Sequence, residues 1–142
     1  MKRIISITFA IIIFATAFTA GAQQSSAQRV IANIPFAFTA NSKTLPAGKY
    51  TITVLNSSSD RRALQIRSMN GRFSVMVLTN TLIGSVADNA KLVFERYDDR
   101  YYFAQAQLAG DSTTLAALRS HKDQKHAVAT AKKKTVVVIM AG

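Results

Sequence analysis

Residues 64–79 run Leu64-Gln65-Ile66-Arg67-Ser68-Met69-Asn70-Gly71-Arg72-Phe73-Ser74-Val75-Met76-Val77-Leu78-Thr79. Leu64 and Ile66 alternate with polar Gln65 and Arg67, the period-two pattern of a half-buried strand. Asn70-Gly71 is the dipeptide best suited to the left-handed backbone of a two-residue hairpin turn. The returning run sets Phe73, Val75 and Val77 on one face and Met76 and Leu78 on the other. With both faces apolar, this second strand is expected in the middle of the architecture, covered on two sides. The stretch decides for antiparallel β structure.

Upstream, Val30, Ala32, Ile34, Phe36 and Phe38 alternate onto one face of residues 29–38. Pro35 lacks an amide proton and suits an edge position or a bulge. Leu45-Pro46-Ala47-Gly48 reads as a tight turn, with proline second and glycine fourth. Residues 49–56 resume the alternation with Tyr50, Ile52 and Val54 on one face, and Ser57-Ser58-Ser59-Asp60 is a polar loop before a short strand at 63–68. Downstream, residues 80–90 have no clean period and read as a long connection. A second hairpin follows, residues 91–97 and 100–108 around a turn at Asp98-Asp99.

Past Gly110 the texture changes. Ser120 and Asp123 have the spacing of a capping box, so a surface helix is expected over 121–133. Lys132, Lys133 and Lys134 at its end complement the helix dipole. Residues 135–141 are rich in β-branched side chains and too few to cross a bilayer as a helix, which makes them a final strand paired inside the sheet. Regular short strands with turn signals between them predict a mainly β fold. The expected architecture is one antiparallel β-sandwich or partly open β-barrel of about seven strands, with one peripheral C-terminal helix.

Ahead of the strands lies an export signal. Met1-Lys2-Arg3 is a short positive start, residues 4–18 are mostly apolar, and Ala20-Gly21-Ala22 places small residues for a signal peptidase. The apolar run is shorter than the ~20 residues of a membrane-spanning helix. Residues 1–22 are thus expected to be a cleaved signal peptide, 23–28 a flexible mature N-terminus and 29–142 a single β-rich domain. The mature chain of about 120 residues is large enough for one core, with no transmembrane segment, and it is expected in the periplasm or the extracellular medium. The chain contains no cysteine. A lipid-carrying thiol is excluded, and packing must hold the domain without the disulfides common in small exported proteins.

Eighteen Lys and Arg stand against seven Asp and Glu; without Lys2 and Arg3, sixteen remain against seven. Such an excess outside the cytoplasm favours contact with an anionic cell-envelope polymer or another envelope protein, although scattered cations also serve solubility alone. No nucleic-acid motif is present. Arg96, Tyr97, Arg100 and Tyr101 gather basic and aromatic groups at the end of the second hairpin, a combination able to stack on a sugar ring while pairing with its carboxylate. They are the candidate ligand-binding residues, beside the simpler role of aromatic pairs in stabilising a hairpin.

The runs Ile34-Pro35-Phe36-Ala37-Phe38 and Lys43-Thr44-Leu45-Pro46-Ala47-Gly48-Lys49-Tyr50-Thr51 carry a resemblance, together with Val77-Leu78-Thr79-Asn80, Lys91-Leu92-Val93-Phe94 and Arg96-Tyr97. The chain resembles a family of small exported bacterial β-domain proteins of unassigned function. The resemblance implies a secreted β-domain and lends no catalytic residue, cofactor or partner.

Catalysis finds little support. Nucleophilic hydrolysis needs a Ser or Cys beside a base and an orienting acid, and the two histidines, His121 and His126, both fall in the expected surface helix. Their five-residue spacing turns them apart, unlike the i, i+4 pair that shares a zinc ion. Asp98 and Asp99, flanked by Arg96 and Arg100, read as simple turn formers. No catalytic, cofactor-binding or metal-ligating residue is therefore assigned. The leading expectation is a non-catalytic exported binding or structural domain, with a small barrel carrying an apolar ligand as the alternative and a hydrolase of unrecognised type behind both.

Overall fold

The structure, a computed structural model, describes residues 28–55, 61–130 and 134–141. The expected signal peptide, residues 23–27, the polar loop at 57–60 and the expected helix end at 131–133 lie outside the described residues. The elements in chain order are β1 (Arg29–Ile34), β2 (Phe38–Ala40), β3 (Lys43–Leu45), β4 (Gly48–Leu55), β5 (Arg61–Ser68), β6 (Ser74–Ile83), β7 (Ala90–Tyr97), β8 (Arg100–Gln107), β9 (Thr113–Ala117), α1 (His121–Thr130) and β10 (Lys134–Ala141).

The fold is mainly β, one open sheet with a single short helix near the C-terminus. Antiparallel ladders join β1, β4, β5, β6, β9, β8, β7 and β10 in that spatial order. The short β2–β3 hairpin docks on the part of the β8 edge that β9 leaves free, with β2 parallel to β8 at Phe38↔Tyr101 and Thr39↔Tyr102. The sheet curls until β10 comes alongside β1, yet no ladder joins these two ends.

Alternation explains the core. Val30, Ala32 and Ile34 of β1, Tyr50, Ile52 and Val54 of β4, Leu64 and Ile66 of β5, and Val75 and Val77 of β6 all turn to the concave side. Aromatic rings fill its middle: Phe38 meets Tyr50 and Phe94 edge-on, each with centroids 5.3 Å apart, and Phe103 meets Phe94 at 5.7 Å. Each such buried side chain contributes about 1.5–3 kcal/mol of transfer free energy. Thr79 shares this interior because its hydroxyl donates to the Arg62 carbonyl at 2.6 Å.

Several details differ from the sequence expectations. Ten strands form rather than about seven, and β2, β3 and β9 are only three, three and five residues long, too short for alternation to reveal. Pro35 separates β1 from β2, so residues 29–38 are two strands. The Asn70-Gly71 turn is a four-residue loop: Gly71 N–H donates to the Ser68 carbonyl, Ser68 N–H to the Phe73 carbonyl, and only Gly71 takes positive φ, 73°. Asn70 acts instead through its side chain, whose Oδ1 accepts from the Ser68 hydroxyl and the Arg72 amide.

β6 is central in the ladder order but uncovered on its outer face, where Met76 and Leu78 are exposed. It also continues to Ile83, because β9, absent from the sequence reading, supplies a partner for residues 79–83. β10 lies at an end of the sheet rather than inside it. It pairs with β7 alone, turning Val137 and Ile139 toward the core and Val136, Val138 and Met140 to solvent.

Candidate binding surface

The β7–β8 hairpin places the four sequence-identified residues on two faces. Arg96 pairs with Tyr101 across the strands, and Tyr97 with Arg100; because side chains alternate, the two pairs point opposite ways. Arg96 lies over the Tyr101 ring at 5.5 Å, and Tyr101 in turn stacks on Phe36 with centroids 3.8 Å apart. The Arg96 Nε donates to the Asp98 carbonyl at 2.7 Å, and its guanidinium stands 3.7 Å from Asp99. Arg96 and Tyr101 are therefore brought together, at the end of the core. Tyr97 is buried on the other face against Tyr102, while Arg100 is exposed.

Tyr97 belongs to a polar cluster that the sequence did not reveal. Its hydroxyl donates to Glu95 Oε2 at 2.9 Å and accepts from Arg119 at 3.2 Å. Arg119 also pairs with Glu95 and lies over the Tyr97 ring, and Lys134 reaches Glu95 Oε1 at 2.8 Å. Burial pulls the Arg119 guanidinium below the ordinary arginine value, and the Asp123 carboxylate opposes that shift. One carboxylate thus ties the approach to α1 and the start of β10 to the outside of β7. No spacing rule links Glu95 to Arg119 and Lys134; the bulge between Val93 and Phe94 helps to create the meeting by turning Tyr102 outward beside Tyr97.

At the other end of α1's first turn, Ser120 Oγ accepts from the Asp123 amide at 3.2 Å, half of the expected capping box. The other half is diverted. Buried Asp123 accepts instead from the Ser42 amide at 2.8 Å, and the Ser42 and Ser120 hydroxyls are also bonded. Asn41 and Ser42 hold φ of 45° and 62°, the left-handed pair of a two-residue hairpin turn. The helix start and the β2–β3 turn thereby lock together. His121 and His126 are exposed on α1, and no group of three or more His, Cys, Asp and Glu is placed to hold a metal among the described residues.

The outer wall made by β1, β4 and β5 has a different character. Register lays Arg29, Thr53 and Gln65 in one row across three strands, and Ile31, Thr51 and Arg67 in the next. All of these except Ile31 line a shallow depression of about 420 Å³ that ends at Asn70 and Gly71. Arg29, Thr53, Gln65 and Arg67 have no side-chain partner among the described residues, and Asn70, whose Oδ1 accepts two bonds, is exposed.

The N-terminal part of the chain, which supplies this wall, is also one-sided in charge. Between residues 23 and 87 the chain has seven cations, Arg29, Lys43, Lys49, Arg61, Arg62, Arg67 and Arg72, and one carboxylate, Asp60. Six of the seven acids are C-terminal to that segment, in the part of the chain that forms β7 to β10 and α1. Of Arg29, Lys43, Lys49, Arg62, Arg67 and Arg72, only Arg62 has an ion pair among the described residues, with Asp111 at 3.9 Å. Sequence position alone carries this signal, and charge totals conceal it.

No family model, no curated protein and no solved structure matches this chain.

Proposed function

We propose that the protein is a non-catalytic exported β-domain that binds an acidic polymer of the cell envelope on its outer wall. The observation that carries this reading is the charge asymmetry: the β1 to β6 segment bears seven cations against Asp60 alone. A segment with so large an excess of one sign attracts polyanions over several ångströms and raises their local concentration. The export signal read at residues 1–22 and the resemblance to small exported bacterial β-domains support a site of action outside the cytoplasm, in periplasm or medium.

The aromatic filling of the interior supports a working surface on the outside. A carrier of the barrel type needs room between its inner faces, and here Phe38, Tyr50, Phe94 and Phe103 occupy the middle. The reading is tested by thermal shift against acidic polysaccharides, neutral glycans and lipids at two salt concentrations. Binding to the native state raises Tm by mass action, and exposed charge contacts weaken as salt shortens the screening length. A salt-sensitive rise with an acidic polymer is expected. A salt-insensitive rise with lipid would establish the carrier instead, and no rise with any of them would direct the search to an envelope protein as partner.

A further inference from the structure

We infer that the depression on the outer face of β1, β4 and β5 is a carbohydrate site for acidic polysaccharide of the uronate type. Arg29 and Arg67 serve as carboxylate clamps, and Thr53, Gln65 and Asn70 as hydroxyl partners. The inference rests on the polymer-binding reading above and gives it a location and a ligand chemistry.

The placement follows from register. Arg29 stands opposite Thr53 and Arg67 opposite Thr51, so the two arginines are two strands and two residues apart. With strands roughly 4.8 Å apart and a rise of roughly 3.3 Å per residue, their Cα atoms are about 12 Å apart. Two guanidiniums at that separation address two acidic groups of one extended chain. A guanidinium presents paired N–H donors that match a carboxylate in bidentate fashion. Neither arginine is neutralised by a carboxylate among the described residues.

The side chains between them select the ligand class. Thr53 and Gln65 have no partner among the described residues, and Asn70, whose Oδ1 accepts two bonds, is exposed at the end of the depression. These groups donate to and accept from hydroxyls. No aromatic ring borders the depression, so it lacks the stacking platform on which single-stranded nucleic acid binds. Met69 is its one large apolar side chain, too little for insertion among acyl chains. A chain rich in both hydroxyls and carboxylates satisfies the whole set.

The test is retention of the purified protein on immobilised polygalacturonate, with polyphosphate, dextran sulfate and neutral dextran as parallel matrices. The variants are R29Q/R67Q, the equal-charge control K122Q/K125Q on α1, and the neutral pair T53A/Q65A. Tm and far-UV circular dichroism confirm that each is folded. The inference expects R29Q/R67Q to bind polygalacturonate at least about tenfold more weakly, as loss of two charge-assisted contacts implies, with less than about a twofold change in the control. T53A/Q65A should weaken polygalacturonate binding and spare polyphosphate.

Equal losses in both charge pairs would overturn the site in favour of diffuse attraction. Wild-type binding with R29Q/R67Q unchanged would overturn the site and leave the polymer reading standing. Stronger arginine-dependent binding to polyphosphate or dextran sulfate would overturn the uronate class. No retention of the wild type on any acidic matrix would overturn the polymer reading itself, and the site with it.

Discussion

The Tyr50 hydroxyl donates a 2.6 Å hydrogen bond to the carbonyl oxygen of Pro46. Tyr50 is the second residue after Gly48 in Leu45-Pro46-Ala47-Gly48-Lys49-Tyr50, so the bond folds the tight turn back onto the strand that leaves it. The ring itself is a core residue, 1% exposed and edge-on to Phe38. Turn and core thus become one unit: a tyrosine at this spacing fills the interior and supplies the donor that the turn's carbonyl would otherwise lack. The order of residues in this segment, read in the sequence as a tight turn leading into an alternating strand, has this physical content.

Replacing Tyr50 with Phe keeps the ring and removes the donor. The expected cost is about 1 kcal/mol, the net worth of an ordinary intramolecular hydrogen bond. Burial also raises the Tyr50 hydroxyl above its ordinary value of 10.0. The folded state therefore holds this proton more tightly than the unfolded state. Its contribution is complete below pH 10.0 and is lost as pH rises through the folded value. Y50F should be less stable than wild type at neutral pH and lose less stability than wild type on the alkaline side. Denaturant unfolding at neutral and alkaline pH measures both, and parallel pH profiles would contradict the linkage.

Glu95 gives a second prediction. Its carboxylate meets Arg119, Lys134 and Tyr97 with 16% of the side chain exposed. Glu95→Gln leaves Arg119 with its charge partly buried and no carboxylate against it on β7. Because the cluster retains solvent contact, the cost is placed at about 1–3 kcal/mol, below that of breaking a fully buried pair. Hydrogen exchange should quicken at α1 and β10 and remain slow in β4 to β6. Uniform acceleration across the sheet would show that Glu95 stabilises the domain globally and does not act as a local tie.

Asp123→Ala tests the lock between α1 and the β2–β3 turn. It removes the acceptor of the Ser42 amide, where Asn41 and Ser42 already sit at positive φ. A lost charge-assisted bond and a lost helix-start partner together cost about 1–3 kcal/mol. Asp123→Asn, which keeps an oxygen acceptor, should recover part of that. Equal unfolding midpoints for the alanine variant and wild type would remove the lock from the account of stability.

The inward faces of β1 and β4 were legible because each alternates cleanly over at least six residues, and Leu64 and Ile66 marked that of β5. So was the β7–β8 turn, where Asp98 adopts φ of 52°. The sandwich-or-barrel expectation resolves to an open curled sheet whose end strands meet without hydrogen bonds. What escaped was set by partners distant in sequence. β9 has one buried side chain, Leu115, and exists because β6 and β8 both offer it a ladder. Tyr101, Tyr102 and Phe103 defeat period two, since the bulge beside Ala104 resets which of them points inward. For the site, the sequence drew attention to a hairpin dense in aromatics. The wall of Arg29, Thr53, Gln65 and Arg67 is spread over three strands and becomes a surface only through register.

β10 carries the last prediction. Its one ladder is to β7, its other edge lies along β1 unbonded, and Val136, Val138 and Met140 face solvent at 57%, 50% and 55% exposure. An unpaired edge with apolar side chains invites association with another chain. Val138→Lys should reduce association at high concentration, seen as lower light scattering, while stability stays within about 0.5 kcal/mol, as for other surface changes. Val137→Lys, one residue away, turns a charge toward the core beside Ile139 and should unfold the protein. Deleting residues 135–142 removes both inward side chains and bares β7, so insoluble protein is expected. Soluble, cooperatively unfolding material from that truncation would show that β10 is not part of the core, and equal effects of the two lysine variants would refute the assigned facing of the strand.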